Sequence, residues 1–146
     1  MKKLLLTLLV AVISVLSVSA RDEYVRNGNL LPTAAKTCLK NNFDAKVNLV
    51  KIDRDFGRIS DYEVILTDGT EVKFDSKGNW EDVEVAESKS VPKAFVLAPI
   101  AAYVKKFQPG ARIVGIEKHR RGYDLELSNG VEMKFDRQGN FKSYDD

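Results

Sequence analysis

Between residues 62 and 75 the chain alternates strictly. Tyr62, Val64 and Leu66 fall on one parity and Glu63, Ile65 and Thr67 on the other; after Asp68-Gly69, Val72 and Phe74 alternate with Glu71, Lys73 and Asp75. A period of two on both sides of an Asp-Gly pair predicts a β-hairpin with one apolar and one water-facing side. The pattern returns around Asn129-Gly130, with Tyr123, Leu125, Leu127, Val131, Met133 and Phe135 on the apolar parity. Further strands are predicted over residues 47–53, 80–85, 113–118 and 141–144. The two echoes are close in sequence as well as in period: residues 62–80 and 123–141 align without a gap, with nine identical positions, and EVKFDSKGNW reappears as EMKFDRQGNF. Upstream the echo continues with a shift, NLVKIDR against RIVGIEK, the first copy carrying a longer turn, Asp55-Phe56-Gly57-Arg58-Ile59-Ser60.

Helical spacing precedes each set of strands. Pro32 suits a first helical turn, and Ala34, Ala35, Cys38 and Leu39 form a stripe closed by Phe43. In the second half Ser90 reads as an N-cap before Val91-Pro92, and Phe95, Val96, Ile100, Tyr103, Val104 and Phe107 continue an apolar face. Pro99 should kink or divide that helix, and Pro109-Gly110 ends it. The expected fold is α+β: two tandem units of one helix plus a four-stranded antiparallel meander, spanning residues 21–86 and 87–146. Helix covers one sheet face, and the other face of an antiparallel sheet can stay in water.

Residues 1–20 stand apart. Lys2 and Lys3 precede an apolar run that ends in Val18-Ser19-Ala20, the pattern of a secretory signal peptide cleaved near Ala20. The expectation is a periplasmic or secreted protein with no stable membrane span after cleavage. Loss of Lys2 and Lys3 leaves 21 basic against 21 acidic residues. A balanced surface of that kind argues against nucleic acid as a partner, and Lys118-His119-Arg120-Arg121 reads as a charged turn between strands.

Chemistry-bearing residues are few. Cys38 and His119 are the single cysteine and histidine of the chain and lie far apart in sequence, which disfavours a Cys-His couple or a His-rich zinc site. Cys38 reads as a small apolar residue of the helix. Glu71, Asp75, Glu132 and Asp136 alternate with lysines in the manner of cross-strand charge ladders, so no catalytic residue is assigned. Asp53, Asp55 and Asp61 have a calcium-like rhythm, but the loop lacks the glycine and glutamate of an EF-hand, and no metal ligand or cofactor is assigned. Alternation from Val83 and Val85 places Trp80 outward with Asp82 and Glu84, on the side of Glu63 and Ile65, and Phe141 in the equivalent place; the alternative is that Trp80 caps the core at the start of its strand. Glu63, Ile65, Trp80, Asp82 and Phe141 are therefore the candidate partner-binding residues.

Leu31-Pro32, the helix ending in Phe43, YEVxLxDGxEVxFDxxGxW, Val91-Pro92, Tyr103-Val104, FxPG and GYxxELxNGxExKFDxxGxF together resemble the PepSY-like family of bacterial envelope proteins. These are similar in fold to the secreted β-lactamase inhibitor protein. The resemblance implies a periplasmic or secreted protein whose two repeats form one curved sheet, with a protein-binding or inhibitory role and an envelope or secreted protein as its partner. It carries over neither a catalytic residue nor a target, because fold does not fix function. The alternative is a small-ligand or calcium-responsive sensor using the acidic turns.

Overall fold

A computed structural model describes residues 22–145, so the expected signal peptide lies outside it. The elements run β1 (Glu23–Val25), α1 (Thr33–Asn42), β2 (Val47–Asp55), β3 (Arg58–Leu66), β4 (Glu71–Asp75), β5 (Trp80–Glu84), a 3₁₀ turn (Lys93–Phe95), α2 (Ala98–Phe107), β6 (Ile113–His119), β7 (Gly122–Leu127), β8 (Glu132–Asp136) and β9 (Phe141–Asp145). All nine strands form one antiparallel sheet in sequence order. No helix among the described residues is long and apolar enough to cross a membrane.

The expectation of an α+β fold of two helix-plus-four-strand units is corrected. The protein is mostly β, one continuous nine-stranded sheet with two short helices. Pairing of β5 with β6 (Asp82↔Glu117, Val83↔Ile116, Glu84↔Gly115) carries the hydrogen-bond ladder unbroken through the middle. Val83 and Ile116 are wholly buried there, so both halves of the sheet share one core. β1, which no alternation announces in its three residues, adds a ninth strand by pairing with β2.

The core is the apolar parity of the hairpins plus one stripe from each helix. Val50, Ile52, Val64, Leu66, Val72, Phe74, Leu125, Leu127, Met133 and Phe135 are almost completely buried, together with Ala35 and Leu39 of α1 and Ile100 and Val104 of α2. Pro99 divides the second helical stretch as expected, leaving the 3₁₀ turn before it and occupying the first turn of α2, where its missing N–H is not needed. Ser90 caps neither helix; Leu97 holds the N-cap position of α2 without a side-chain bond. The long turn expected at residues 55–60 is instead extended strand: β3 starts at Arg58, and only Phe56-Gly57 form the reversal.

The repeated DxxGN segments explain how the helices dock. Asp75 accepts hydrogen bonds from the backbone N–H of Lys77 and Asn79 (2.9 Å each) and from the Asn79 amide (3.0 Å). Asp136 does the same with Gln138 and Asn140. Each turn is thereby a closed hydrogen-bonded knot, and its glycine lies beneath a helix start. A Cβ on Gly78 would stand 2.9 Å from the Ala35 nitrogen and 2.9 Å from Pro32 Cβ; one on Gly139 would stand 3.2 Å from Pro99 Cβ. Gly78→Ala combines that overlap with a left-handed φ of +88° and should destabilise the fold by about 2–4 kcal/mol. Gly69, also left-handed at +89° but with open space around it, isolates the backbone part; Gly69→Ala should cost only about 1–2 kcal/mol in the same urea titration. Equal losses at the two positions would show that helix docking does not depend on Gly78.

Candidate functional site

The sheet face opposite the core is open, and two rows of side chains cross it. Register aligns Lys51, Glu63, Lys73, Asp82, Glu117, Asp124 and Lys134 on successive strands from β2 to β8. The neighbouring row is Leu49, Ile65, Glu71, Glu84, Gly115, Glu126 and Glu132. Adjacent strands lie about 4.8 Å apart, so like charges in one row are close neighbours. At the flanks, cations neutralise them: Lys51 bonds Asp53 at 2.9 Å, Lys73 lies 3.6 Å from Asp61, His119 lies 3.0 Å from Asp124, and Lys134 lies 3.2 Å from Asp145. Among the described residues no salt bridge reaches Glu71, Asp82, Glu84, Glu117 or Glu126.

A hollow of ≈550 Å³ opens over this central region, lined by Glu63, Glu71, Glu81, Asp82, Glu84 and Glu117 together with Lys73, Lys118, His119 and Arg120. Gly115 contributes no side chain to the row, between Glu84 and Glu126. The electrostatic consequence is concentrated on Asp82. Burial pushes its carboxyl up to about 7, with Glu84 and Glu117 adding repulsion that Lys73 only partly offsets. Its Oδ1 is buried without a hydrogen-bond partner. Burial, then Glu71 and the other surrounding carboxylates, also raises Glu84, and burial followed by Glu63 raises Glu71. Carboxylates so raised favour any cation that enters the hollow.

Three of the five expected site residues share this face. Glu63 and Asp82 lie in the first row, flanking Lys73, and Ile65 lies in the second beside Glu71. Trp80 and Phe141 are elsewhere, and their expected outward orientation is corrected. Lys73 pairs with Asp82 but Phe74 pairs with Trp80, so Glu81 is an extra residue in a β-bulge. The bulge reverses the alternation and turns Trp80 to the helix side, where it meets Phe95 edge-on with ring centroids 5.2 Å apart and carries Lys118 Nζ 4.3 Å above its ring. Lys134 and Phe135 pair with Ser143 and Phe141 across a second bulge of the same kind, and Phe141 stacks on Tyr103 at 4.5 Å. Sequence reasoning named Glu71 and Glu84 as surface charge and passed over Glu117 and Glu126. Only strand register shows that Glu117 faces Asp82 across β5 and β6.

The acidic turns and the calcium-like rhythm are not brought together as a metal cage. Asp53 faces Asp61 across a hairpin with Lys51 already on Asp53, and Asp55 is exposed near the tip. The Asn140 side chain and the turn backbone hold Asp136 below the usual carboxylate range. Among the described residues, no group of three or more His, Cys, Asp and Glu side chains is arranged to hold a metal ion. Cys38 is half-buried in α1, burial pushes its thiol up, and Asn42 Nδ2 lies 3.9 Å from Sγ, the setting of an inert cysteine.

Comparison with known proteins is consistent across sequence and structure. The family model described as "Putative beta-lactamase-inhibitor-like, PepSY-like" matches residues 60–143, more than half of the chain. No curated protein matches. Among solved structures, a protein from Bacteroides vulgatus described as a "putative periplasmic protein of unknown function" superimposes with a TM-score of 0.81 at 38% identity, covering 86% of this chain and 100% of that one. A protein from Bacteroides thetaiotaomicron described as a "putative calcium-regulated periplasmic protein" gives 0.78 at 39% identity, covering 86% and 97%. A second Bacteroides vulgatus protein, also described as a "putative periplasmic protein", gives 0.77 at 37% identity, with the same coverage of 86% and 97%. With the family model spanning most of its sheet and these structures matching 86% of its length, the chain belongs to the PepSY-like family.

Proposed function

We propose that this protein is an exported, non-catalytic binding module that holds a cationic surface of an envelope protein against its open sheet face. The observation that carries this reading is the carboxylate hollow at the β5–β6 junction, whose central acids are desolvated and lack a salt-bridge partner among the described residues. A partner lysine or arginine would neutralise charge that the fold itself leaves uncompensated, which favours association and speeds encounter. Export and a periplasmic location are supported by the amino-terminal pattern and by the periplasmic relatives. An inhibitory action on the bound protein is the family-level extension of the same reading.

A second reading, a calcium-responsive protein, is favoured by the description of the Bacteroides thetaiotaomicron relative and by the same carboxylates. Calorimetric titration with calcium chloride separates the two. The binding-module reading expects no heat of specific binding at millimolar calcium, and a saturable isotherm that Glu84→Gln abolishes would establish the sensor reading instead.

The Asp82 carboxyl gives the open face a pH signature. Its folded pKa, about 7, lies above its ordinary value of 3.8, so its contribution to stability is complete below about 3.8 and is lost as pH rises through 7. Wild type should therefore lose stability between about pH 4 and 7. Asp82→Asn should flatten that slope and be more stable than wild type at pH 8 by about 2 kcal/mol, a figure already reduced for solvent screening. Chemical denaturation across that range measures it, and an unchanged slope would remove Asp82 from the account. Because the substitution does not weaken the fold, it can be used to test binding. Wild type immobilised in a periplasmic extract should retain a partner that Asp82→Asn/Glu84→Gln loses by about tenfold or more, and rising salt should weaken the retention. Equal retention by the double variant would refute the open-face reading.

A further inference from the structure

β2 and β3 are longer than the strands beside them. Their last register pair with β4 is Asp61↔Asp75, so residues 54–60 run on past the end of β4 as a two-stranded ribbon. Glu23 of β1 ties its base, its carboxylate accepting a hydrogen bond from Arg54 at 3.1 Å. The ribbon reverses through Phe56-Gly57, and two observations at the tip conflict with ordinary hairpin chemistry. Phe56 has a φ of +50°, the only positive value at a non-glycine residue among those described. Its side chain is also 106% exposed, meeting neither the core nor a neighbouring ring.

Each observation runs against the residue's ordinary preference. Two-residue reversals with φ positive at both positions favour Asn-Gly or Asp-Gly, and a bulky aromatic in the first place is strained. Single exposed apolar residues are common on protein surfaces. The other large exposed ones here, Tyr24, Leu30, Phe107 and Tyr144, are exposed by about half and differ from Phe56 in that respect. Phe107 packs against Tyr103 and Tyr144 against Phe141, with the rings tilted in both pairs. Strain and full exposure coinciding at the tip of a projecting ribbon are the marks of a residue retained for contact.

We infer that Phe56 is a docking anchor, carried on the β2–β3 ribbon into an apolar pocket of the protein that the open face binds. The inference rests on the proposed binding role and adds a second attachment point to it. The partner it requires is a folded protein with an apolar pocket beside a basic surface, the pocket for Phe56 and the basic surface for the carboxylate hollow. Asp55 and Arg58 flank the tip and keep it soluble when unbound. The aromatic supplies buried area, and the charged hollow supplies orientation.

Phe56→Asn tests this because docking and folding respond in opposite directions. Asparagine suits the turn, so the variant should melt about 4 °C higher than wild type, while the partner retained by wild type from periplasmic extract should be lost by about tenfold or more. Phe56→Tyr should keep that partner. A photo-crosslinking phenylalanine analogue at position 56, in the full chain expressed in its host envelope, should join the same protein. A lower melting temperature for Phe56→Asn would make Phe56 a structural residue and overturn the inference. So would unchanged retention, or adducts formed only with a second copy of the chain, only with lipid, or not at all. The two attachment points separate cleanly. Retention lost in Asp82→Asn/Glu84→Gln but kept in Phe56→Asn refutes the anchor alone, and the reverse refutes the open-face reading and, with it, the basic surface assigned to the partner, leaving Phe56 as the sole attachment point.

Discussion

Nine strands and two ten-residue helices impose one-sided burial, and the rest of the structure depends on it. The sheet has one face for its core, where Val64, Val72, Phe74, Val83, Ile116, Leu125 and Met133 are fully buried under α1 and α2. The opposite face must meet water, so each strand alternates between the two environments. The helices remain in place because the DxxGN turns bring glycine backbone against their starts at Gly78 and Gly139, where a side chain would not fit. A ten-residue helix is marginal alone, and most of its stability comes from this docking.

The same constraint shapes the open face. Nine antiparallel strands at a spacing of about 4.8 Å leave the side chains of this face nowhere to withdraw, and solubility requires that most be charged. At the flanks the signs alternate and pair. In the middle, where β5 meets β6, Asp82 faces Glu117 and Glu84 faces Gly115, and carboxylates accumulate around Lys73, the single cation in register with them on β4. Burial at the centre of so wide a sheet then raises Asp82 toward neutrality. A fold that tolerates this arrangement holds a surface ready for a cation, and the strained, fully exposed Phe56 places an apolar contact beyond the sheet end. Both features lower the stability of the free chain, as sites shaped for binding often do.

Much of the fold was legible because the period-two pattern is strong and reports a physical fact, the difference between the two faces. Hairpins about Asp68-Gly69 and Asn129-Gly130, the buried parities and the division of the second helix at Pro99 all follow from local rules. Trp80 and Phe141 were misplaced for an equally physical reason. A β-bulge inserts one residue and reverses every orientation beyond it, and the extra residues Glu81 and Lys142 look like any others in a charged strand. The open-face acids were legible singly and not as a group, since Glu71, Glu84 and Glu117 are brought together by pairing between segments far apart in sequence.

By itself the amino-acid sequence determined the strands, their apolar faces, the glycine turns, the family resemblance and the overall balance of charge, because each depends on residues a few positions apart. The tertiary structure decided that β1 joins the sheet as a ninth strand, that carboxylates from β3 to β6 meet over a single hollow, that bulges turn Trp80 and Phe141 toward the helices, and that Phe56 projects from the end. Those outcomes depend on register between distant strands. A register is selected by the energy of the whole packed core, and no short window of sequence contains it.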